Sequence, residues 1–179
     1  MAFLRVVRLL TMVVWVGGLV FFAFVVVPVA FGVLPTKHEA GMVVAGTLGI
    51  LNRMGDVCAF LFAAATGGLY KRGWRGNRLL TAELVLALGM ISATALIQWR
   101  IMPAMERDRI AAGGDIDAAA PGNPARADFE RLHPISEKLE GAVLFLGLGV
   151  VVLLGLERLP SADPTAPPAT PVPGASSRG

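Results

Sequence analysis

Residues able to do chemistry gather in three short stretches of this chain, each beside or inside an apolar run. Asn52, Arg53 and Asp56 form the first, at spacings that share one helical face. Gln98 and Arg100 form the second. Arg131, His133, Ser136, Glu137 and Glu140 form the third, and His133, Ser136, Glu137 and Glu140 fall on one stripe. A charge within a lipid-spanning helix is costly unless it pairs or meets water. These side chains are therefore expected to face inward and pair, with Arg53 or Arg100 neutralising Asp56, Glu137 or Glu140. The alternative places them hydrated in the headgroup layer.

Other chemistries have thinner support. His133 with Glu137 could ligate zinc or iron, and His38 could add a second imidazole for haem. The two histidines lack the spacing of a helical ligand pair, so an anchoring role for His133 is preferred. Met42, Met54, Met102 and Met105 evoke copper, but methionine is a common packing residue. Glu83 could carry a proton, or pair with Arg5, Arg8 or Arg78; pairing is the preferred reading. No nucleophile elbow, phosphate loop or dinucleotide fingerprint appears. No catalytic residue, metal site or cofactor is assigned, and the chain is read as leaning away from an enzyme.

The elements that must position these residues are four apolar stretches. The chain is 55% apolar and 16% charged, which fits a membrane domain better than a soluble one. Spanning a bilayer takes roughly 20 apolar residues as a helix. The expected spans are about 4–30, 52–70, 79–102 and 135–156, giving an all-α, integral membrane four-helix bundle over 1–158. The first span is too long for a signal peptide's apolar region and is read as retained. Residues 39–51 either lie along the surface as a separate helix or extend the second span as one long tilted helix. The fourth helix is expected to begin near Asp128 or Pro134, because proline suits a first turn. The 159–179 tail is rich in Pro, Ala, Ser and Thr and is expected to be disordered.

Residues 71–78 hold four cations and no acid. Such loops favour the cytoplasmic side, so both termini are expected there, with Trp74 as an interfacial anchor. Asn52, Gln98 and Glu140 then sit toward the outer ends of their spans, and Glu83 in the inner half. The basic residues form no nucleic-acid stripe; the expected partner is the lipid bilayer, and protein partners are open. Cys58, the single cysteine, is read as a packing residue.

Trp15-Val16-Gly17-Gly18-Leu19-Val20-Phe21-Phe22, then Phe31-Gly32-Val33-Leu34-Pro35, Ala40-Gly41, Trp99 and Pro103 occur in order. Phe129, Arg131, His133 and Ser136 complete the series as F-x-R-x-H-x-x-S. Over about 4–156 this order resembles the bacterial branch of the transmembrane protein 205-like family, a four-span domain of unknown function. Pro134, inside the last motif, departs from the pattern. The resemblance implies a multi-pass protein of the bacterial inner membrane with no assigned reaction or cofactor. A fainter likeness to copper-resistance D and haem-linked four-helix membrane families is architectural only. The residues thus point to small-solute or ion handling through an outer polar cluster. A haem or metal redox protein using His133, or an assembly subunit, are the alternatives.

Overall fold

The computed structural model describes residues 2–72 and 78–157. It contains four helices long and apolar enough to cross a membrane: α1 (Ala2–Val33), α2 (Lys37–Lys71), α3 (Arg78–Ala111) and α4 (Pro124–Leu156). No strand occurs among the described residues, and the all-α four-helix bundle expected from hydropathy is the observed architecture. In lipid every backbone N–H and C=O must find an internal partner, which a helix provides. The expected turn and anchor at 73–77 and the expected tail disorder lie outside the described residues.

The helices pack in a ring, α1 to α2 to α3 to α4 and back to α1. α1 therefore faces α3 across the centre, and α2 faces α4. The seams follow alternating steps of three and four residues. α3 buries Leu80, Glu83, Ala87, Met90, Thr94, Ile97 and Ile101. α4 buries Ser136, Val143, Gly147 and Val150. This repeat of 3.5 is the one that keeps a seam facing its partner in left-handed helix packing. The outward faces carry Phe24, Phe60, Leu88, Phe145 and Val152, all exposed, as a lipid-facing surface requires.

Glycine sets two of the close approaches. A Cβ on Gly55 would lie 2.6 Å from Trp15 Nε1, and one on Gly147 would lie 2.6 Å from Val16 Cγ2 and 2.9 Å from Met90 Cε. Trp15, Val16 and Met90 fill the space these absent side chains leave, and all three are buried.

α1 and α3 share an irregularity. Each widens into a π-helical turn, Phe22–Val26 in α1 and Ile97–Ile101 in α3. Each turn is followed, two residues on, by a proline: Pro28 and Pro103. A proline ring collides with the carbonyl four residues earlier and offers no N–H to it. Widening the preceding turn accommodates both defects and lets the helix continue.

The helices overrun the expected spans. α2 is unbroken from Lys37 to Lys71, so 39–51 is part of one long helix and not a separate surface helix. Thr36 starts it, its hydroxyl accepting from the Glu39 N–H at 3.1 Å. α4 begins at Pro124, earlier than Asp128 or Pro134, and Pro134 lies inside it. The reason is a strong start signal: Asn123 Oδ1 accepts from the N–H groups of Ala125 (2.9 Å) and Arg126 (3.4 Å), with Pro124 in the first turn. The first turns of α4 then pack against the end of α3, Met102–Ala111. Asn123→Ala is expected to cost about 1 kcal/mol, read as a small fall in the thermal midpoint of the purified protein. The α3–α4 connection turns at Gly113 and Gly114, whose φ angles of +97° and +95° suit glycine.

Candidate functional site

Two polar layers cross the centre of this bundle. Each joins helices that face one another diagonally.

The basal layer lies at the end holding the start of α1 and the end of α4. Arg8 is fully buried and its Nη2 donates to Glu83 Oε2 of α3, itself fully buried. Arg8 Nη1 donates to Glu157 Oε1 at 2.7 Å, just beyond α4. Arg5 joins them, its Nη2 donating to the Glu157 carbonyl at 3.1 Å and its Nε lying 3.5 Å from Glu157 Oε2. The Arg8 guanidinium stands 5.3 Å above the Phe62 ring of α2, a favourable cation–π arrangement. Two arginines and two glutamates make the layer neutral. Its chemistry is that of a structural tie: removing either partner of Arg8–Glu83 would leave an uncompensated charge in an apolar core.

The second layer lies near the middle of the bundle. Asn52 of α2 is 1% exposed, and its Nδ2 donates to Glu140 Oε1 of α4 at 3.2 Å. Met102 Sδ of α3 lies 4.0 Å from the same nitrogen. Three oxygens have no partner among the described residues: Glu140 Oε2, Gln98 Oε1 and Thr94 Oγ1. Ser136, one turn above Glu140, is buried. Asn52 lies ten residues from Phe62 along α2, so the layers are about 15 Å apart at 1.5 Å per residue. Met12, Trp15, Val16, Met90, Val143 and Gly147 belong to the buried core, where Trp15 Nε1 and the Thr66 hydroxyl also have no partner among the described residues.

The nine residues singled out from the sequence divide. Asn52 and Glu140 meet, and Ser136 turns inward beside them. Arg53, Asp56, Arg100, Arg131, His133 and Glu137 are exposed. Among the described residues, no ion pair joins Arg53 or Arg100 to a carboxylate. Arg131 instead lies 3.2 Å from Asp128, and His133 Nε2 lies 3.2 Å from Glu137 Oε1, both within α4. His133 also stacks on Phe129 at 5.9 Å. His38 lies 3.7 Å from Asp115 Oδ1 in the α3–α4 connection. No group of three His, Cys, Asp or Glu side chains suited to a metal occurs among the described residues. Of the four methionines, Met102 approaches the buried layer, while Met42 and Met54 are exposed.

Sequence reasoning named Arg8 as a partner for Glu83 but missed Glu157. The signal was present: Glu140, Val143, Gly147, Val150, Leu154 and Glu157 follow one seam. Thr94 likewise falls on the inward stripe of α3, which its spacing from Glu83, Ala87 and Met90 reveals.

Residues 10–109 match a family model described as a domain of unknown function, DUF4149. That segment is more than half of the 179-residue chain. The chain belongs to the DUF4149 family. No curated protein and no solved structure matches it. With four helices able to cross a membrane, this DUF4149 protein is a multi-pass membrane protein. The matched segment holds Asn52, Glu83, Thr94 and Gln98. Arg8 and Glu140, one partner of each diagonal pair, lie beyond its ends.

Proposed function

We propose that the protein handles a small cation or solute through the polar groups at and above the Asn52–Glu140 layer. The observation supporting this is the Glu140 carboxyl itself. It sits inside a membrane bundle, bound on one oxygen by Asn52 and unpartnered on the other. Intramembrane ionisable residues are expensive and face functional cavities or partners, and an amide alone does not neutralise a carboxylate. The exposed Arg53, Asp56, Arg100, Arg131, His133 and Glu137 would form the approach to that layer from the distal end.

We place the protein in a bacterial inner membrane with both termini cytoplasmic. The cation-rich 71–78 segment and the basic Arg5 and Arg8 support that orientation. On this reading the Asn52–Glu140 layer opens toward the outer side and the Arg8–Glu83 tie closes the inner one. Kinship with the transmembrane protein 205-like proteins rests partly on Phe129, Arg131, His133 and Ser136, which lie outside the matched 10–109 segment. The haem or metal reading has less support, because His38 and His133 each approach a different carboxylate.

Purified protein in proteoliposomes tests the proposal against a panel of alkali cations, protons and small organic solutes. Flux above that of empty vesicles is expected for at least one of them, falling about tenfold or more in Glu140→Gln, on the order of 1.4 kcal/mol in the rate-limiting step. Flux equal to empty vesicles across the panel would overturn it.

A further inference from the structure

Among the described residues, the Asn52–Glu140 layer leaves three buried oxygens without partners, and two of them can only accept. Thr94 Oγ1, Gln98 Oε1 and Glu140 Oε2 are all inaccessible and unbonded. Thr94 is 1% exposed and does not bond back to its own helix, as buried helical threonines usually do. Buried polar groups are mostly satisfied in native proteins; of the unpartnered atoms near this layer, Trp15 Nε1 is a donor beside Gly55, while the three on α3 and α4 are oxygens.

The register of α3 against α4 places them at neighbouring heights. A Cβ on Gly89 would meet Leu146 Cδ1 at 3.1 Å, and one on Gly149 would meet Leu86 Cδ1 at 3.2 Å. Continuing that antiparallel register brings Thr94 level with Gly141, next to Glu140, and Gln98 one turn above. Gln98 also lies in the π turn of α3, a segment that packs against α4. π turns recur at functional sites.

Two of the orphans, the amide oxygen and a carboxylate oxygen, only accept hydrogen bonds; the hydroxyl both donates and accepts. One proton on Glu140 Oε2 completes the set. No hydrogen bond joins the three oxygens in the resting arrangement; once Glu140 is protonated, side-chain rotation would let its O–H donate to Thr94 Oγ1 and the Thr94 O–H donate to Gln98 Oε1. Asn52 stays bound to Glu140 Oε1 throughout. The charged groups nearby do not compete. Arg53 and Asp56 of α2, Arg100 of α3 and Glu137 of α4 are exposed, and α1 buries Met12, Trp15, Val16, Leu19 and Phe22 over this region, none of them ionisable.

We infer that Glu140 is a proton-binding residue at the centre of the bundle, with Thr94 and Gln98 as the relay that receives its hydrogen bond. This deepens the ion-handling reading and rests on it for its physiological meaning: the handled or coupled ion is the proton. The proton comes from water at the distal end and returns to water, with no redox change and no covalent intermediate.

The test is the infrared carbonyl stretch of a protonated carboxyl, recorded on the whole protein in phosphatidylcholine nanodiscs at neutral pH. Exposed carboxyls are ionised there. The wild type should show the band. Glu140→Gln should lose it, Thr94→Val should shift it to higher frequency, and Asp56→Asn should leave it unchanged. A wild type without the band, or a band that survives Glu140→Gln, overturns the inference. A band present in choline buffer but abolished by sodium also overturns it, in favour of an alkali-cation site. Were Glu140→Gln not to fold, the wild-type band and its Thr94→Val shift decide the matter alone. Absent flux with the band intact would refute ion handling and leave the proton site standing. Flux that depends on Glu140 without the band would do the reverse.

Discussion

Glu83→Ala is expected to lower the unfolding free energy by about 3–5 kcal/mol, the cost of leaving a buried charge without its partner. Arg8 is fully buried, and its remaining partner Glu157 would have to neutralise it while also meeting Arg5. Glu83 Oε1 already lacks a hydrogen bond, so the carboxylate is held chiefly by its charge. Pairing with Arg8 is the source of the effect, and a double substitution separates it from lost packing. Arg8→Met with Glu83→Leu replaces the tie by apolar side chains of similar size. Such replacements are often neutral or stabilising, so the double variant should recover most of the loss. The measurement is the denaturation midpoint of detergent-solubilised protein, followed by far-ultraviolet circular dichroism. Additive losses in the double variant would count against a specific pair.

Gly147→Leu should destabilise the bundle by roughly 3 kcal/mol, at the upper end of what overpacking costs. The first added carbon would already meet Val16 at 2.6 Å and Met90 at 2.9 Å. Those contacts come from α1 and α3, on either side of α4, so the helix cannot relieve one by moving toward the other. Replacing glycine within a helix returns only about 1 kcal/mol of propensity, which does not offset the clash. Val16→Ala, combined with Gly147→Leu, should restore part of the lost stability, because it removes the nearer atom. The Met90 side chain is flexible and can give way. A Gly147→Leu protein as stable as wild type would show that the helix–helix contact is looser than the geometry implies.

Much of this fold is legible in the residues because lipid is a severe solvent. Four apolar stretches leave few choices, and four helices in a bundle is one of them. The pairing of Glu83 was legible too, since a carboxylate inside a span needs a partner and three arginines flank that end. What hydropathy hides is which face turns inward. Asn52 and Asp56 are four residues apart and share a helical face, yet Asn52 is buried and Asp56 exposed. The seam of α2 steps from Asn52 to Gly55 and then to Cys58 and Ala59, so Asp56 falls just outside it. The difference between sharing a face and sharing a seam is small in angle but decides burial in a narrow bundle. Glu157 was hidden for another reason. Just past the last apolar residues of α4, an acid reads as the end of a span, and only the three-dimensional arrangement makes it a partner of Arg8. The lengths of α2 and α4 were obscured by their polar first turns, which Thr36 and Asn123 nonetheless start as helix.

The matched prolines of α1 and α3 bear on movement as well as on shape. Below each π turn the two helices are pinned together by Arg8 and Glu83. Above it, a widened turn and a missing backbone hydrogen bond make each helix easier to bend. A four-legged frame that is braced at its foot and jointed partway up has one inexpensive motion: its upper legs splay while the foot stays shut. In this protein the joints lie in Phe22–Val26 and Ile97–Ile101, the second of which carries Gln98. Splaying there would open the space above Glu140 without unmaking the charged tie below.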